Sequence, residues 1–334
     1  MKRKLVAGLL IASLLITMVA GLVQAEAKPE YKWKMALNGS DGDNAYDTGA
    51  VFAEKVAELT GGRVKIDLYG GGALGNTAEV FEGMSVGVAD LMVESVGTLA
   101  PFNKLANIDA IPYLYSSYEH FMTVWNSDLG NEMKDAIGNP AGFKIMGRTF
   151  RGPRIVSSTY EMRELKDFAG FKIRVPNLDV YLKTWQHMGA APMPLAFGEL
   201  YTALQQGTVN GQENPMADSI NYAFDEVCKY WIKTNHVYSC NVVVMDLNKF
   251  NSLPEDIQSA MLEAATYAGD VVSLKQLELM KTSEQALIDK GHTIIEVDIP
   301  TFVEHFKTFS ADNYSDIPEF ADWSARIAEM NPDK

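Results

Sequence analysis

The chain has 334 residues with 43 acidic and 29 basic side chains, a formal net charge of −14. That balance disfavours nucleic acid and anionic membrane surfaces as partners, although an acidic protein can still carry a locally positive pocket. A chain of this length is long enough for two α/β domains.

The first element is a targeting segment. Basic "MKRK" is followed by apolar "LVAGLLIASLLITMVAGLV" and small residues, the pattern of a secretory signal peptide over residues 1–25, with cleavage after Ala25 or Ala27. No cysteine stands there to take a lipid, and no later stretch is long and apolar enough to span a bilayer. The mature chain, about 307–309 residues, is expected to be soluble and exported to a bacterial periplasm. Loss of Lys2, Arg3 and Lys4 with residues 1–25 takes the net charge to −17.

Strands and helices then alternate. "YKWKMALN" (31–38) reads as a strand, and "AYDTGAVFAEKVAELTGG" (45–62) as a helix stopped by Gly61-Gly62. "RVKIDLY" (63–69) is a second strand. After it Gly70, Gly72 and Gly75 have the G-x-G-x-x-G spacing of a dinucleotide site. A Rossmann helix opens within its glycines. Here Asn76-Thr77 looks like the N-cap, with Glu79 in the first turn. Export also removes the chain from the nicotinamide pool. The expectation is a strand-to-helix turn whose helix end faces a ligand.

"NTAEVFEGMSVGV" (76–88) continues as that helix, and "ADLMVES" (89–95) as a third strand. A loop and helices follow to about residue 137. "FKIMGRTF" (143–150) and "RGPRIVSS" (151–158) read as paired strands that cross between domains. "FKIRVP" (171–176) is a strand, "LDVYLKTWQHMG" (178–189) a helix, and "AAPMPLA" (190–196) a short strand. "FGELYTALQQGTV" (197–209) is a helix, and "NGQENP" (210–215) leads out of a short strand. "NVVVMD" (241–246) is another strand. From Pro254 to Gly291 the pattern gives roughly 36 helical residues, about 54 Å, either as one helix across both domains or as two with a break near Gly269.

Cys228 and Cys240 could pair in an oxidising compartment, but geometry decides that and the sequence leaves it open. With His236 they lack the short spacing of a zinc site. No catalytic motif of the nucleophile-elbow, metalloprotease or phosphate-loop kind occurs. Arg151, Arg154 and Arg174 fall on expected strands within apolar patterns and need partners. They serve either as structural ion pairs or as planar forks for a carboxylate. Trp185, Phe197, Tyr201 and Tyr222 fall at helical spacing and are expected in the core.

"LKDFAGFKIRVPN" (165–177) and "MGAAPMPLAFGELYTALQQGTVNGQENP" (188–215) resemble the signature of the DctP family, the solute-binding proteins of TRAP (tripartite ATP-independent periplasmic) transporters. "AEKVAELTGGRVKIDLYGGGALGN", "IPYLY", "RGPRIVSS" and "NKFNSLPEDIQSAMLEAA" fall in family order. The resemblance implies two α/β domains with a ligand cleft between them, crossing hinge strands and a long C-terminal helix. Its domain limits here are 28–150 with about 241–278, and 151–240 with about 279–310, while 311–334 packs back on the first domain. It implies no catalysis and no cofactor. The implied partners are a small organic acid and the small and large membrane subunits, with this chain a monomer. An exported enzyme or a sensor partner is the alternative.

The resemblance also assigns residues. Arg174, in R-V-P, is the carboxylate fork; Arg154, in Gly152-Pro153-Arg154, is a second arginine; Asn214, in Q-E-N-P, is a pocket amide. Glu94 is the polar residue after the third strand. Asn38 and Asn76 are carried over as ligand contacts or as turn and cap residues, and Arg151 as a further contact. A carboxylate entering the cleft loses its water and needs charged donors. Glu94 suits hydroxyls better than a second carboxylate, which tilts the expected ligand from a C4-dicarboxylate towards a sugar acid, with Arg154 able to hold a second carboxylate.

Overall fold

The computed structural model describes residues 28–332. The signal-peptide reading lies outside them. Among the described residues, no helix is long and apolar enough to cross a membrane.

In chain order the first elements are β1 (Tyr31–Ala36), α1 (Asn44–Leu59), β2 (Val64–Tyr69), α2 (Thr77–Gly83), β3 (Leu91–Ser95), α3 (Tyr118–Trp125) and α4 (Asp128–Ala141). Next come β4 (Phe143–Ser158), β5 (Lys172–Val175), α5 (Asp179–His187), β6 (Ala191–Pro194), α6 (Leu200–Gln205), β7 (Gly211–Pro215) and α7 (Met216–Asn221). The chain closes with β8 (Tyr230–Lys233), β9 (Tyr238–Asp246), α8 (Leu247–Asn251), α9 (Glu255–Asp289), β10 (Thr293–Glu296), α10 (Ile299–His305), α11 (Phe309–Tyr314) and α12 (Pro318–Glu329).

The strands run β2-β1-β3-β9-β4-β7-β5-β6, with β8 also on β4 and β10 outside β8. β1 is parallel to β2 and β3, whereas β9 returns antiparallel between β3 and β4. The paired-strand expectation for 143–158 is corrected: both segments are one 16-residue strand. Its first part pairs with β9, and its last part with β7 and β8. The β4–β9 register shifts between Met146 and Thr149 and again between Phe150 and Pro153, beside Gly147 and Gly152, whose φ values are +70° and +88°. An unpaired residue at each shift turns the strand out of one sheet half and into the other.

The long segment is a single helix, α9, of 35 residues or about 52 Å. It packs on α1, β4, α7 and β10 and so touches both halves. Gly269 does not break it. A Cβ there would lie 1.9 Å from the Arg148 backbone oxygen, so the glycine serves close approach of helix to strand. Trp33, Met35, Phe52, Ile257 and Met261 fill the core between β1, α1 and α9. A larger core joins Phe121, Trp125, Phe150, Phe168, Trp185 and Trp323. Trp185 is buried as expected. α12 is tied to α4 by Glu132, which accepts from Trp323 and pairs with Arg326. Cys228 and Cys240 are both free and buried, in different clusters.

Candidate ligand-binding site

The ends of β1 and β3, the crossing part of β4, the ends of β5 and β7 and the loops beyond them enclose a cavity of about 1020 Å³. Asn38, Asn76, Glu94, Arg151, Arg154, Arg174 and Asn214 all line it. β4, β7 and β5 are hydrogen-bonded neighbours, which brings Arg154, Asn214 and Arg174 together although they are 60 residues apart in the chain.

The three arginines differ. Arg154 is 3% exposed and held by Glu213, whose carboxylate it grips through Nε and Nη2, the latter at 2.8 Å. Burial pushes Glu213 up, but Arg154 and the nearby His236 more than offset this and bring its carboxyl down to about 2. The same pairing outweighs burial at Arg154 and holds its pKa above the usual range. Arg154 therefore has a structural counterion already, as the ion-pair alternative in the sequence has it. Arg151 donates to Asp218 at 3.3 Å, while its buried Nε has no partner.

Arg174 is 4% exposed, and its hydrogen bonds go from Nε and Nη2 to one backbone oxygen, that of Leu195, at 3.0 and 2.7 Å. Its guanidinium lies 5.7 Å from the Phe197 ring centre. Burial, with Arg154 nearby, lowers its pKa to about 10. The Nε edge of the fork is thus occupied, and the end carrying Nη1 and Nη2 remains for an anion.

The opposite wall is polar. Glu94 Oε2 accepts from Asn38 at 2.6 Å and Thr77 at 3.4 Å, and Oε1 accepts from the Ser95 N–H at 2.9 Å. Asn214 donates to Gln212 at 2.6 Å, leaving one amide hydrogen for a ligand. Asn76 stands at the rim with its oxygen committed to capping α2, accepting from Ala78 and Glu79. The glycine stretch before it is a turn, and Gly71, Gly72 and Gly75 line the cavity.

Phe197 and Tyr222 correct the sequence reading. Both are partly buried, packing on the small cluster of Leu200, Leu204 and Phe224 on one side and lining the cavity on the other. Tyr201 packs with the small cluster of α6 and bonds Glu226. Asp43, Thr98, Tyr181 and Asn241 also line the site and were not foreseen. Asp43 alone had a visible signal, as the N-cap before α1. Among the described residues, no cluster of histidine, cysteine or acidic side chains could hold a metal ion.

A cavity between two sheet halves, walled by arginines and amides, is a feature of binding proteins, and the family model for DctP, bacterial extracellular solute-binding protein, family 7, matches residues 35–316. The chain belongs to this family. It is a TRAP solute-binding protein, and the family is one of binding proteins and not of enzymes. A solute-binding protein of Roseobacter denitrificans is 32% identical over 290 residues, 86% of this chain and 88% of the relative. A crystal structure of a TRAP periplasmic solute-binding protein from the same organism, with bound L-galactonate, has a TM-score of 0.83 and 29% identity, covering 89% of this chain and 99% of that one. Another from Polaromonas sp., bound to D-erythronate, has a TM-score of 0.79 and 28% identity, covering 89% and 98%.

Proposed function

We propose that the protein captures a polyhydroxylated monocarboxylate, a sugar acid, in the periplasm and delivers it to the small and large membrane subunits of a TRAP transporter. The observation that carries this is Arg174: a buried cation on the cavity wall whose hydrogen bonds go only to a backbone carbonyl. Such a charge is costly unless an anion arrives. Arg154 and Arg151 have acidic partners, so Arg174 is the arginine of the three left to meet a carboxylate. The Glu94 wall, with Asn38 and Thr77, favours hydroxyls and disfavours a second carboxylate. The relatives with L-galactonate and D-erythronate bind ligands of this chemistry.

On this reading residues 1–25 direct export, the protein works as a monomer, and closure occurs between the units 28–150 with 241–278 and 151–240 with 279–310. The hinge lies in the crossing part of β4 and its β9 partner. A thermal-shift series with L-galactonate, D-erythronate, succinate and neutral D-galactose tests it. A ligand at a hundred times its dissociation constant adds about 2.7 kcal/mol of stability. The sugar acids are expected to raise the melting temperature most. A shift with D-galactose alone refutes anion capture, and a larger shift with succinate refutes the monocarboxylate reading.

A further inference from the structure

We propose that Asp43 and Tyr222 form a latch across the cleft, and that Gly39 is the residue whose missing side chain lets the latch shut. This rests on the reading that the cleft closes over its ligand. Asp43 stands before α1 in the first sheet half, and Tyr222 follows α7 in the second. The Tyr222 hydroxyl donates to Asp43 Oδ2 at 2.7 Å, and both residues line the cavity.

Each partner is held for this contact. Asp43 Oδ1 caps α1, accepting from the Ala45 and Tyr46 N–H groups at 2.9 and 3.1 Å, so Oδ2 is aimed at the second half. The Tyr222 ring meets the edge of Phe197 at 4.5 Å and stacks on Phe224 at 6.0 Å. Burial, with Asp43 beside it, pushes the hydroxyl pKa far up, so it remains a donor. The bond is charge-assisted and shielded, which strengthens it.

Gly39 lies beneath the pair. A Cβ there would stand 2.4 Å from Asp43 Cγ and 2.5 Å from the Tyr222 hydroxyl oxygen. Its φ lies outside the left-handed region, so its backbone suits any residue. Glycine is needed here for space and not for conformation. A methyl group at this point is a wedge under the latch.

The test compares wild type with Tyr222→Phe, Asp43→Asn, the double variant and Gly39→Ala. Stopped-flow kinetics and calorimetry use L-galactonate and the shorter D-erythronate as probes. A lost bond to a charged acceptor lowers the closed population, which weakens binding about tenfold to a hundredfold. The loss is expected as faster dissociation, equal for both probes, with the double variant no weaker than either single one. Tyr222→Phe within twofold of wild type, or a loss confined to one probe, overturns the latch; the latter makes Tyr222 a direct ligand contact.

Spin labels at Val86→Cys and Lys166→Cys, 83% and 76% exposed, report the ligand-free cleft. Gly39→Ala and Tyr222→Phe should lengthen the label distances. If wild type binds neither sugar acid, the ligand reading fails and these distances alone decide the latch. Identical distributions in all variants overturn it.

Discussion

Replacing Arg174 separates its charge from its bulk. Its depressed pKa, near 10, corresponds to a burial cost on the order of 3 kcal/mol at neutral pH. Arg174→Met removes that cost but leaves the Leu195 carbonyl without its donor, a penalty of about 1–3 kcal/mol. The two nearly offset. The ligand-free variant should melt within a few degrees of wild type, since about 1 kcal/mol moves a protein of this size by only ~2 °C. Binding behaves differently. Truncating one member of a buried charged pair costs about 2–5 kcal/mol, a loss of roughly thirty- to several thousand-fold in affinity. Arg174→Ala should lose at least as much, and Arg174→Lys should recover only part, because an ammonium lacks the planar fork. Calorimetric titration with L-galactonate, after stripping bound ligand, and thermal melts of the apo forms give both numbers. Affinity of Arg174→Ala within about threefold of wild type leaves under 1 kcal/mol at stake and refutes the anion seat. A ligand-free Arg174→Met destabilised by more than about 3 kcal/mol exceeds what one orphaned carbonyl costs and refutes the spare-charge argument.

Glu213→Gln leaves Arg154 buried without its counterion and should destabilise the fold by about 3–5 kcal/mol in urea titration. In wild type the stability contributed by Glu213 is present above the ordinary glutamate range and is lost as pH falls through about 2, which acid denaturation of the two proteins compares. Asp109 has the opposite sign. Burial pushes its carboxyl up to about 7, against 3.8 unperturbed. The folded state therefore keeps a proton that the unfolded chain releases, and stability falls as pH rises from about 4 to 7. Asp109→Asn should flatten that slope, read by denaturant titration at pH 5 and 8. Gly269→Ala improves helix propensity but drives a methyl into the Arg148 carbonyl, and should cost at least about 2 kcal/mol in the same assay.

The elements were legible where periodicity and stop signals are local, as with α1 ending at paired glycines and α9 opening at Pro254. Arg154, Arg174 and Asn214 were singled out by the resemblance of their motifs to the family signature, and the pairing of β4, β7 and β5 brings them to one cavity wall. What escaped depends on distance in the chain. Glu213 reads as an unremarkable strand residue until β4 and β7 pair, after which it neutralises Arg154. Phe197 and Tyr222 carry helix-like spacing, yet Phe197 lies in a short 3-10 turn before α6 and Tyr222 just beyond α7, where side chains face the cavity. The single strand 143–158 escaped because two bulges, at Gly147 and Gly152, let one continuous segment change partners, which no local pattern records.

The pairing of β4, β7 and β5 bears on the order of events at capture. Arg154, Asn214 and Arg174 stand on one sheet half, so their mutual geometry is independent of where the other half stands. On the proposed reading, the seat for the anion is complete before the cleft closes, and an arriving carboxylate docks on it before anything moves. Glu94 and Asn38 belong to the other half, and on that reading they reach the solute's far end only as the cleft shuts. Encounter and inspection thus fall to different walls. On the proposed reading the first wall sets how fast any small acid is caught, and the second sets how long it stays.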